Sequence, residues 1–96
     1  MLTSKQRAAL RSCANRIEAI FQVGKGGIGD TLIKQVDDAL TARELIKLKV
    51  LENCEYTARE AAEVLAGETG SEPVQVIGRK FVIYKRNKKV DQYGIK

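Results

Sequence analysis

Histidine is absent from this 96-residue chain, which also holds only two cysteines and one proline. Without histidine there is no His-dependent catalytic triad and no imidazole metal ligand. Cys13 and Cys54 stand far apart and cannot supply the ligand set of a structural zinc site. No apolar run approaches the roughly 20 residues of a membrane-spanning helix. Residues 1–7 lack the apolar stretch of a secretory signal. The sequence therefore predicts a cytoplasmic chain with reduced thiols, without metal, cofactor or membrane association. A chain this short buries about 60–65% of its unfolded surface, enough for one core but not for a two-lobed enzyme. A composition of 44% hydrophobic and 30% charged residues is that of a folded globule.

Basic charge is concentrated rather than diluted. Residues 1–29 carry five lysines and arginines against Glu18, and residues 73–96 carry seven against Asp91. Residues 30–72 carry five against ten acids. Two basic ends around an acidic middle point to a polyanionic partner, nucleic acid first.

The hydrophobic pattern reads as one alternating series. Thr3 and Gln6 form a capping box with Leu2 before it, and Leu10, Cys13, Ala14 and Ile17 recur at helical spacing, predicting a helix over residues 4–15. Ala19, Phe21 and Val23 alternate within a strand over residues 17–23. Asp30 is placed to cap a second helix that ends near Ala42, with Leu32, Ile33, Val36, Ala39 and Leu40 on one face. Ile46, Leu48 and Val50 alternate with Lys47 and Lys49 in a second strand. Thr57 and Glu60 make another capping box, Ala58, Ala61, Ala62 and Leu65 give that helix a narrow apolar face, and Gly70 ends it. Val74, Val76, Phe81 and Ile83 then alternate across Gly78-Arg79, which suits a type II′ hairpin turn. Phe81 reads as core; Tyr84 reads as facing the other way, toward solvent. The order α-β-α-β-α-β-β predicts an α+β sandwich, a four-stranded mixed sheet with helices mainly on one face.

Four glycines among residues 24–29 separate the first strand from the second helix. Glycine permits close backbone approach to a ligand, and a helix N-terminus favours anions, so the segment suits phosphate. Gly24, Gly26 and Gly29 fit a dinucleotide-binding G-x-G-x-x-G, with Glu44 downstream, but Glu44 falls before its strand and no substrate domain follows. The segment is one residue from a P-loop, yet Asp30 stands where that motif needs lysine. Gly24-Lys25-Gly26-Gly27 also fits a G-x-x-G clamp on an RNA backbone. In a KH domain that clamp joins two helices, whereas here a strand precedes it.

Taken together, the segments resemble the stand-alone, YhbY-type members of the CRM (chloroplast RNA splicing and ribosome maturation) domain family. The likeness spans about residues 2–86. It is carried by Leu2-Thr3 through Gln6, Val23-Gly24-Lys25-Gly26-Gly27, residues 44–50, and Val76-Ile77-Gly78-Arg79-Lys80-Phe81 through Lys85. The resemblance implies a sheet-and-helix fold similar to the C-terminal domain of translation initiation factor three. It also implies RNA binding on large-subunit ribosomal precursors and no enzymatic activity. Gly29-Asp30 departs from the usual hydroxyl cap, and Lys85 replaces a frequent arginine.

The expected RNA contacts are Gly24, Lys25, Gly26, Gly27, Lys47, Lys49, Arg79, Lys80, Tyr84, Lys85, Arg86 and Lys88. Lys25 leads, because a lysine within a glycine loop has no apolar stem to cover. Lys47 and Lys49 also fit a solvated or edge-protecting face. A monomeric RNA-binding domain over residues 1–87 with a basic tail over residues 88–96 completes the expectation.

Overall fold

The computed structural model describes residues 2–87. Helix α1 covers Ser4–Ala14 and helix α3 Ala58–Thr69, and both start at reciprocal capping boxes. Gln6 N–H donates to Thr3 Oγ1 at 3.1 Å, and Thr3 N–H to Gln6 Oε1 at 2.9 Å. The Thr57–Glu60 pair repeats these bonds at the same distances. Each box satisfies two amides that a helix start otherwise leaves without partners. Helix α2, Asp30–Arg43, begins differently. Gly29, not Asp30, occupies the cap and supplies no side-chain bond, while Asp30 is the first helical residue.

Strands β1 (Ala19–Val23), β2 (Leu45–Val50), β3 (Glu72–Ile77) and β4 (Lys80–Tyr84) form one sheet in the order β1-β2-β4-β3. β1 and β2 run parallel, joined through α2; β4 is antiparallel to both β2 and β3. The β3–β4 hairpin closes with Ile77 opposite Lys80. Gly78 has φ 58° and Arg79 does not have a positive φ, the combination a type II′ turn requires.

The period-two pattern of β2 sorts the core into two layers. Ile46, Leu48 and Val50 join Phe81 and Ile83 beneath Val36 and Leu40 of α2 and Ala61, Ala62 and Leu65 of α3. Leu45, Val74, Val82 and Tyr84 face the other way and pack beneath Leu10 and Ala14 of α1. The sheet thus has helices on both faces, two on one and one on the other. Tyr84 does face away from Phe81 and Ile83, but it is only 4% exposed. The expected surface tyrosine is a core residue because α1 covers it. Val74 and Val76 do not share a face either. A register shift between Pro73 and Gln75 turns Val74 toward α1 and leaves Val76 toward α3.

Glu44 joins α2 to β2 with φ 64° and is fully buried. Its carboxylate accepts from Asn87 N–H at 2.8 Å, and its carbonyl accepts from Lys85 N–H at 2.8 Å. Asn87 Nδ2 donates to the Thr41 carbonyl at 2.7 Å. Asn87 is thereby tied to the α2–β2 junction; the expected basic tail over residues 88–96 lies outside the described residues.

Candidate nucleic-acid interface

Parallel β1 and β2 and antiparallel β4 bring three connections to one end of the sheet: residues 24–29, residues 51–57 and the 78–79 turn. Backbone bonds lock them together. Leu51 N–H donates to the Val23 carbonyl at 2.9 Å, and Val50 N–H to the Arg79 carbonyl at 2.7 Å.

Within the glycine loop, Gly27 N–H donates to the Gly24 carbonyl at 2.9 Å, closing Gly24-Lys25-Gly26-Gly27 into a tight turn. Among the described residues the amides of Lys25 and Gly26 make no hydrogen bond. The glycines serve different ends. Gly27 has φ 71°, and a Cβ there would sit 3.6 Å from Cε2 of Tyr56. Gly24 lies against Leu51, where a Cβ would come within 3.4 Å of Cδ1. Gly26 has no positive φ, and a Cβ there would meet nothing within 4 Å. Its absent side chain leaves backbone open to solvent rather than filling a steric need. Lys25 is exposed beside it, without an acidic partner among the described residues.

The α2 N-terminus carries its own countercharge. Asp30 in the first turn complements the positive helix end, so an incoming phosphate meets a carboxylate there. The residues that favour an anion are therefore those of the turn at Gly24 to Gly27, ahead of the helix.

The expected site residues divide into two groups. Lys49 and Lys80 are directly opposite one another in the β2–β4 register, with Lys47 one position further from the loop end on the same face as Lys49. These three lysines have no acidic partner among the described residues. They belong to the loop end with Lys25. Arg79 is also there, but its guanidinium is 3.3 Å from the Glu52 carboxylate. Lys85 and Arg86 lie at the opposite end, about 17 Å away from Lys80 at about 3.4 Å per strand residue. Lys85 is engaged with Asp37 at 3.1 Å, while Arg86 is exposed. Tyr84 is buried beneath α1, and Lys88 lies outside the described residues.

Edge protection does not account for Lys47, Lys49 or Lys80. β2 and β4 are the central strands, and β1 and β3 form the edges. Sequence reasoning passed over Tyr56, whose ring backs Gly27, although its position just before the Thr57 cap is that of a hydrophobic staple. It also passed over Gln22 and Ile77, whose cross-sheet neighbours only the register reveals.

The strand at Ala19–Val23 places the glycine turn between strand and helix, unlike the two-helix setting of a KH clamp. Glu44 is buried at the far end of α2, out of reach of a ribose at the loop. Among the described residues no cluster of three or more Cys, Asp and Glu side chains is placed to hold a metal ion, and no helix is long and apolar enough to cross a membrane.

Comparison with known proteins agrees with this architecture. A profile for the CRS1 / YhbY (CRM) domain matches residues 2–85. The chain is 51% identical over 92 residues to Probable RNA-binding protein YqeI of Bacillus subtilis, covering 96% of each. It is 37% identical over 89 residues to Probable RNA-binding protein MJ0652 of Methanocaldococcus jannaschii, covering 88% of this chain and 63% of that one. The solution structure of protein SAV1595 from Staphylococcus aureus superposes with a TM-score of 0.80 at 51% identity, covering 100% of this chain and 98% of that one.

Proposed function

Because the chain belongs to the CRS1 / YhbY (CRM) domain family, we propose that it is a non-enzymatic RNA-binding domain that acts on ribosomal RNA in large-subunit precursor particles. The observation that carries this reading is the turn at Gly24 to Gly27. It presents two backbone amides and a lysine that have no partner among the described residues, at the end of the sheet. Such a turn approaches a phosphate closely, and charge-assisted bonds from Lys25 and the amides hold it. The names of the relatives from Bacillus subtilis and Methanocaldococcus jannaschii support RNA as the partner. The family resemblance supports the ribosomal precursor. On this reading the protein works in the cytoplasm as a monomer, and residues 1–87 form the binding domain.

A salt titration with a ribosomal RNA fragment tests the electrostatic basis. If Lys25, Lys47, Lys49 and Lys80 each neutralise one phosphate, log K falls against log salt with a slope of about −2.8 for single strands and about −3.6 for a helix. A slope near zero contradicts the reading. Thermal shift with ATP or NAD should show no stabilisation while RNA does. Crosslinking in cells, followed by sequencing of the attached RNA, should recover large-subunit ribosomal RNA.

Lys25→Ala should weaken RNA binding by about 1–2 kcal/mol, or about 5- to 30-fold, the loss of one charge-assisted bond. The side chain is exposed, so the melting temperature should stay within a degree or so of the parent. Filter binding and thermal melts on the same preparation check both halves.

A further inference from the structure

Helix α1 covers only half of its face of the sheet. It ends at Ala14 and packs over Leu45, Val74 and Tyr84, the end remote from the glycine loop. Where it stops, a cavity of about 120 Å³ is lined by Asn15, Lys47, Gln75, Ile77, Lys80 and Val82. Beyond it the strand register sets one row across all four strands: Gln22 beside Lys49, Lys49 beside Lys80, Lys80 beside Ile77. Every member of that row is exposed, Ile77 by 62%.

Placing Lys49 and Lys80 directly opposite each other costs stability, because like charges on paired strands repel. No carboxylate among the described residues neutralises them. The far side of the molecule suits a polyanion less, since exposed Asp30, Asp38, Glu60, Glu63 and Glu68 of α2 and α3 outnumber exposed Lys34, Arg43 and Arg59 there. On the near side α1 adds exposed Lys5 and Arg11, with Arg16 just beyond its end.

We infer that the uncovered half of this sheet face holds the sugar-phosphate backbone of a base-paired RNA helix, a second contact beside the glycine turn. The inference rests on the RNA-binding reading and names the form of RNA. Three charges and an amide side chain fit phosphates and ribose hydroxyls. The row offers amines, an amide and an aliphatic side chain, and no ring on which an unpaired base could stack. Single-strand binders draw much of their affinity from such stacking, which this row does not supply. A helix keeps its bases stacked internally and is recognised by backbone and shape, so it needs no ring. Contact of this kind is blind to base sequence.

The experiment compares the full chain with its Lys49→Gln/Lys80→Gln double variant. Each is titrated with a short RNA duplex, with each component strand alone, with a duplex of scrambled sequence, and with polyglutamate. The parent should bind duplex more tightly than either strand. The variant should lose about tenfold or more in duplex affinity at moderate salt, and its salt slope should fall by about 1.8. The loss should be equal for the scrambled duplex. The variant should melt at or above the parent temperature, because the cross-strand repulsion is gone. Duplex binding with unchanged affinity and slope in the variant would overturn the inference while leaving RNA binding intact, as would single strands that bind as tightly as duplex. Polyglutamate that binds the parent more tightly than duplex, with the tighter binding lost in the variant, would assign the face to an acidic protein and overturn it as well. A parent that binds no RNA of any form at low salt would instead remove the functional reading itself.

Discussion

Replacing Gly26 with aspartate should reduce RNA affinity by about 2–3 kcal/mol at low salt, roughly 30- to 150-fold, and leave stability unchanged. The binding half follows from charge. A carboxylate at the tip of the turn faces the phosphate that Lys25 attracts, and two unit charges about 4 Å apart interact by several kcal/mol at a protein surface before screening. Added salt should shrink the effect, because the pair is exposed. The stability half follows from geometry. Gly26 does not have a positive φ, and a Cβ there meets nothing within 4 Å. Gly26→Ala is therefore the control, with affinity and melting temperature near the parent. Gly27→Ala should behave differently. Its φ of 71° charges an L side chain about 1 kcal/mol in backbone strain, so it should melt lower. Parallel binding and melting curves of the three variants separate charge from conformation. If Gly26→Asp binds as the parent does, the turn is not the contact.

Glu44→Ala should destabilise the fold by about 2–4 kcal/mol, a fall in melting temperature of roughly 10–25 °C for a domain of this size. The buried carboxylate accepts the Asn87 amide at 2.8 Å and thereby ties the end of β4 to the α2–β2 junction. Removing it strands a partly buried donor and opens a void in a fully enclosed position. Glu44→Gly should be milder by about 1 kcal/mol despite losing the same carboxylate. At φ 64° glycine avoids the strain that alanine keeps. Urea or thermal denaturation of both variants gives the ordering; equal stabilities would show that backbone strain at this junction is negligible. RNA affinity of the folded variants should be nearly that of the parent, since Glu44 lies at the opposite end of the sheet from the glycine turn.

Local rules carried much of this protein. The capping boxes at Thr3 and Thr57 mark two helix starts because their hydrogen bonds close within four residues. The alternation of Ile46, Leu48 and Val50 with lysines identifies β2, and Gly78 marks the hairpin, because both depend on the chain's own geometry. The glycine loop between a strand and a helix was legible for the same reason, as was Lys25 within it.

What escaped the sequence depends on partners distant in the chain. Alternation alone puts Tyr84 opposite Phe81 in side, yet whether that side meets water depends on α1, some 70 residues earlier. The turn of Val74 away from Val76 needs a bulge that Pro73 permits but whose place and direction only the pairing with β4 fixes. Lys85 looked like Lys49, a lysine on or beside a strand, until folding set Asp37 against one and Lys80 opposite the other. The sequence places Glu44 between helix and strand, out of position for a dinucleotide motif, and only the return of β4 encloses it. Secondary structure here follows from interactions that span a few residues. The charge and burial of the site follow from strand order and helix placement, which are settled by packing across the whole chain.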